Sequence, residues 1–226
     1  MRWIAVFGVM WSFAAQAQVA PEKPVLPFPR YKQMQGILDA DGFPTSGAKL
    51  CLLSAPDTCF TMPSHPMSEG EAKNPYQFGL EPKSERLALA NGGSLIFFTG
   101  TFSGGGSGTL ERLALLRYGA GGTISNLLPY VAMASQGQRA MWGIPGASPY
   151  PVLVMANFIW GTGETRWDRH FYTVEAWRFD PATGAYAQAF SYRTAKSYES
   201  GDSRPVRVLA GERAEIQRQL GVTPVP

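Results

Sequence analysis

The chain has 226 residues, of which 45% are apolar and 16% charged, a balance that excludes disorder and supplies enough apolar surface for one sizeable core. Lys and Arg number 20 against 17 acidic residues, and no basic run stands out, so neither nucleic acid nor an anionic membrane surface is an expected partner. The 25 glycines and 18 prolines are spread along the chain, as many short strands joined by turns require.

The first residues read as an address. Met1-Arg2 is a positive start, Trp3 to Phe13 an uncharged apolar stretch, and Ala15-Gln16-Ala17 the small-x-small pattern that precedes cleavage. The apolar stretch is too short to span a bilayer, and no later one reaches that length. The expectation is a signal peptide over 1–17, cleaved after Ala17, and an exported protein, periplasmic or secreted. No cysteine follows the cleavage site to carry a lipid anchor. Residues 18–34 contain Pro21, Pro24, Pro27 and Pro29, a density that favours extended polyproline-II geometry and reads as a leader before a single β-rich domain over 35–226.

Within that domain, Gly36 to Ala40 and Lys49 to Leu53 read as strands, with an Asp41-Gly42 turn after the first. Cys51 and Cys59 flank Leu52 to Thr58, whose Ala55-Pro56-Asp57-Thr58 is turn chemistry. In an oxidising compartment the pair is expected to close a disulfide across a hairpin, and a loop this small is worth about 2–3 kcal/mol by chain entropy. Pro63 to Pro82 reads as a loop. Arg86 to Ala90 and Ser94 to Thr99 flank Asn91-Gly92-Gly93, where Asn-Gly is the strongest short hairpin signal.

Residues 94–128 and 151–190 share an order of parts. Leu95-Ile96-Phe97-Phe98 answers to Val152-Leu153-Val154-Met155, and the glycines from Gly104 to Gly108 answer to Gly161-Thr162-Gly163-Glu164. Arg117-Tyr118 before a Gly-rich turn answers to Arg178-Phe179 before Asp180 to Gly184. We read these as two copies of one meander, with an insertion in the second loop. Tyr130 to Pro151 reads as a connection between them. In the last long strand, Tyr186, Phe190 and Tyr192 are expected on one side and Ala187, Ala189 and Ser191 on the other. Pro205 to Leu209 reads as a short strand and Glu212 to Leu220 as the one C-terminal helix, with Ile216 and Leu220 on its inner face and Gly221 as its cap. The fold class expected is therefore all-β and mostly antiparallel, a sandwich or propeller-like stack of meander units.

The candidate site is the loop from Trp160 to His170, which carries Trp160, Glu164, Arg166, Trp167, Asp168, Arg169 and His170. Loops on a rigid scaffold concentrate function. Indole faces stack on sugar rings, and Trp and Arg dominate protein–protein hot spots. The leading expectation is a non-enzymatic module that binds a protein or a cell-envelope glycan, an inhibitor of a hydrolase being one form. The alternative is a cell-wall glycan hydrolase with Glu164 and Asp168 as paired carboxylates and His170 beside them. No metal motif is present, because Glu164, Asp168 and His170 fit no established spacing, and no cofactor signature occurs. Ser46-x-x-Lys49 lacks the helix and companion segments of a serine acyl-enzyme, and the 103–108 glycines lack the Lys-Ser/Thr of a phosphate loop. His65 reads as a loop residue.

Overall fold

A computed structural model of the protein describes residues 25–42, 44–63, 79–103, 109–129, 132–135, 138–143, 150–165, 167–199 and 207–222. The expected signal peptide, His65, the 104–108 glycine run and Arg166 lie outside them. The chain is all-β and mostly antiparallel, as its turn-rich composition requires, and ends in two short helices.

The outermost sheet is small. Strands β1 (Tyr31–Met34), β4 (Lys49–Leu52) and β5 (Cys59–Thr61) pair in the order β1-β4-β5, while β2 (Ile37–Leu38) and β3 (Pro44–Ser46) form a separate hairpin. Cys51 and Cys59 are register partners on β4 and β5 and are joined by a disulfide.

The middle sheet is a meander of β6 (Glu81–Ala88), β7 (Ser94–Ser103) and β8 (Thr109–Tyr118). Asn91-Gly92 turns β6 into β7: Gly92 sits at φ +82°, a conformation in which a Cβ would be strained, and its N–H donates to the Leu89 carbonyl at 3.0 Å. Along the other edge of β8 lie β9 (Ile124–Asn126), against Leu116 to Tyr118, and β10 (Ala132–Ser135), against Leu110 to Leu113.

The third sheet runs β11 (Arg139–Trp142), β12 (Val152–Ile159), β13 (Arg169–Asp180) and β14 (Ala185–Arg193). A final short strand, β15 (Tyr198–Glu199), continues past β14 along the same edge of β13, opposite Arg169 and His170. The two hairpins are thus wired alike: each long second strand holds its successor on one half of an edge and a later strand on the other.

These sheets stack, and a helical layer closes the stack. Leu95, Phe97, Leu113 and Leu115 pack against Leu153, Met155, Trp177 and Phe179 between the middle and third sheets. On the far side of the middle sheet, Ile96, Phe98, Ala114 and Leu116 meet Leu50, Leu52 and Met62. On the far side of the third, Val152, Val154, Tyr172 and Val174 meet Val208 and Leu209 of α1 (Arg207–Gly211) and Ile216 of α2 (Arg213–Gln219). Strands covered on both faces need apolar residues at every position, which is why Leu95 to Phe98 and Val152 to Met155 are unbroken apolar runs.

Four expectations change. Residues 25–34 belong to the domain: Val25 is buried between the two large sheets, Phe28 is buried beneath the outer one, and the Phe28 N–H donates to Ser94 Oγ at 2.8 Å. Their prolines do impose an extended path, but the apolar residues between them dock. The 130–151 connection contains β10 and β11, one on each large sheet. Residues 207–211 form a helix, because Val208 and Leu209 are both buried on the same layer, which neighbouring positions manage at helical spacing and not at strand spacing.

Tyr186 departs from Phe190 and Tyr192. The register steps from Ala176↔Phe190 to Trp177↔Gln188, leaving Ala189 as an extra residue. That bulge reverses the alternation, so Tyr186 packs in the inter-sheet core with Phe179 while Phe190 and Tyr192 face the helices.

Candidate functional site

The loop joining β12 to β13 is built by short hydrogen bonds from its own carboxylates. Glu164 Oε2 accepts from the Gly161 N–H at 2.6 Å, and the Glu164 N–H donates back to the Gly161 carbonyl at 3.2 Å. Gly163 turns the chain there at φ +77°. Four residues on, Asp168 Oδ2 accepts from the Thr165 N–H at 2.6 Å and from Thr165 Oγ1 at 2.8 Å, while the Asp168 N–H donates to the Thr165 carbonyl at 3.0 Å. These bonds to the ionised form hold the Asp168 carboxyl below the usual carboxylate range.

His170 ties this loop to the sheet. Its side chain is wholly buried, and Nδ1 lies 3.0 Å from the same Glu164 Oε2 that caps Gly161. Its Nε2 is buried with no hydrogen-bond partner among the described residues. Phe158 and Trp160 enclose the ring, with centroids 5.1 and 5.3 Å away. His170 is thus a structural residue at the start of a strand, and Glu164 is the latch between it and the loop backbone.

What the loop offers outward is aromatic. Trp160 is 57% exposed and Trp167 68% exposed, the two largest exposures among the large hydrophobic side chains. Trp160 rests edge-on against Phe158 at 4.9 Å, so its ring is supported from beneath while the rest faces water. Arg169 leaves the loop in another direction: it donates through Nη2 to the Ser197 carbonyl at 2.8 Å and pairs with Glu199 through Nη1 at 3.0 Å. Both carboxylates of the hydrolase alternative are therefore engaged in their own loop. No group of metal-ligating side chains occurs among the described residues.

No family model, curated protein or solved structure matches the chain. The site is therefore argued from its geometry alone.

Two features nearby carry no sequence signal. Glu212, at the start of α2, accepts hydrogen bonds from Tyr192 Oη at 3.0 Å and from Tyr198 Oη, joining β14, β15 and the helical layer through one mostly buried carboxylate. Burial and that carboxylate push both phenols well above their usual range. Beside this trio a cleft of about 490 Å³ opens between β13, β15 and α1. Its lining comes from residues 138, 169–172, 196–199 and 207–211, which only the fold brings together.

Proposed function

We propose that this is an exported, non-enzymatic binding module that contacts a protein or a cell-envelope glycan through the loop between Trp160 and His170. The observation that carries this reading is the pair of outward indoles on a loop whose backbone is held by Glu164 and Asp168. A binding surface gains affinity when its aromatic anchors are rigid before the partner arrives, because less ordering entropy is lost on association. The carboxylates supply that rigidity here, which assigns them to the scaffold.

Export is supported by the Cys51–Cys59 disulfide, since such bonds persist in oxidising compartments. No helix among the described residues is long and apolar enough to cross a membrane. The expected cleavage after Ala17 belongs to the same reading. So does duplication of one meander over 94–128 and 151–190, which the shared order of strand pairing favours.

The test is capture of partners from a cell-envelope fraction by the immobilised protein and by its Trp160→Ala and Trp167→Ala forms. The expected result is loss of capture with the unfolding midpoint nearly unchanged. Undiminished capture by both variants would overturn the proposal, and collapse of stability would place the indoles in the core.

A further inference from the structure

We propose that the cleft between β13, β15 and α1 is a subsite for an anionic group, a phosphate or a carboxylate carried on a sugar. The inference deepens the loop-binding reading and rests on it for the sugar. Three cationic residues, Arg169, Lys196 and Arg207, line the cleft against one carboxylate, Glu199. Arg169 uses three of its five guanidinium N–H donors on Ser197 and Glu199, which fixes the fork in place and leaves two donors for a ligand. Lys196 is held with Nζ 5.1 Å from the Tyr198 ring centroid, so this charge too is positioned by the protein. A volume near 490 Å³ falls within the range of small-ligand sites and accommodates one substituted sugar ring.

The cleft and the loop lie on one face of the third sheet. Tyr172 and Tyr198 pack edge to face at 6.0 Å and line the cleft, and Phe158 meets Tyr172 at 6.2 Å. Phe158 in turn supports Trp160. One row of rings thus runs from the cationic cleft to the exposed indole. Aromatic faces suit sugar rings, while paired guanidinium and ammonium groups suit oxyanions. An uncharged sugar would leave the cleft's excess positive charge unanswered, which is why the substituent is assigned as an anion.

Titration calorimetry with glucose 6-phosphate, glucuronate, inorganic phosphate and glucose tests this on the full mature protein. The charged sugars are expected to bind more tightly than glucose and than phosphate alone, and more weakly as salt rises. Lys196→Gln and Arg207→Gln, made separately, should each weaken them by about tenfold. The proposal is overturned if neither charged sugar binds, if glucose binds equally well, or if both variants bind like the parent. Running the same variants in the envelope-capture assay separates the two ideas. Capture lost with the Trp variants and intact with the cleft variants would overturn the subsite and leave the loop reading standing. Charged-sugar binding lost with the cleft variants, alongside capture that ignores both indoles, would do the reverse.

Discussion

Replacing Glu164 by Ala distinguishes a latch from a catalytic acid. In the folded protein one oxygen of this carboxylate receives the Gly161 N–H and lies against His170 Nδ1. Hydrogen bonds to a charged acceptor contribute about 1.5–3 kcal/mol each when buried. The Glu164 side chain is 32% exposed, so solvent screening reduces each to roughly 1 kcal/mol. His170 is wholly buried, and truncation leaves its Nδ1 without this partner, adding about 1 kcal/mol of uncompensated desolvation. The expected loss is therefore about 2–3 kcal/mol in urea unfolding, or roughly 5–10 °C in midpoint for a domain of this size. Glu164→Gln keeps an acceptor without the charge and should lose about half as much. A change below about 0.5 kcal/mol for the Ala form would refute the latch. A gain in stability would do more, because carboxylates placed for catalysis commonly cost the fold stability, and it would revive the hydrolase alternative.

The remaining predictions address other parts of the molecule. Asp168 has a depressed folded-state pKa, so its loop bonds are fully present above the ordinary value of 3.8 and are lost as pH falls through the lower folded value. Acid titration should therefore change tryptophan fluorescence only below about pH 3.8, and Asp168→Asn should remove that step. Replacing Cys51 and Cys59 by Ser should lower stability by about 2–3 kcal/mol, as chain entropy gives for a cross-link spanning a sequence separation of 8; equal denaturation curves with and without reductant would contradict this. Gly93→Ala places a Cβ 2.3 Å from the Val25 carbonyl, which should displace residues 25–28 and expose them to limited proteolysis. Leu209→Ala should cost about 2–5 kcal/mol, because that side chain is fully buried under the helical layer.

Much of the fold was legible because the two central hairpins are buried on both faces. Such strands have no choice but continuous apolar runs, and the turns between them need Asn-Gly or an equivalent. The C-terminal cap at Gly221, at φ +72°, was legible for a similar reason. Three things were not. The bulge at Ala189 leaves no mark in composition, since one extra alanine looks like any other, yet it decides which core receives Tyr186. Pro205 suggested extended chain where Val208 and Leu209 form a helix to reach the third sheet. Density of proline over 18–34 concealed Val25 and Phe28, two apolar residues with buried places waiting in the stack.

The loop itself was found by its density of charged and aromatic side chains, but their division of labour was invisible. Spacing cannot say that Glu164 turns back to Gly161 and His170, or that Arg169 turns away to Ser197 and Glu199. The 490 Å³ cleft could not be found at all, because its walls come from segments far apart in sequence.

The helical layer has a further consequence for shortened forms of the protein. Val208, Leu209 and Ile216 are the covering of Val152, Val154 and Val174, a valine-rich slab with nothing polar to greet water. A stop codon or a protease cut before Arg207 would bare that slab while the disulfide and both large meanders stayed intact. Such a fragment would be driven to clump through a single sticky side, so overexpression trials should keep the tail in place.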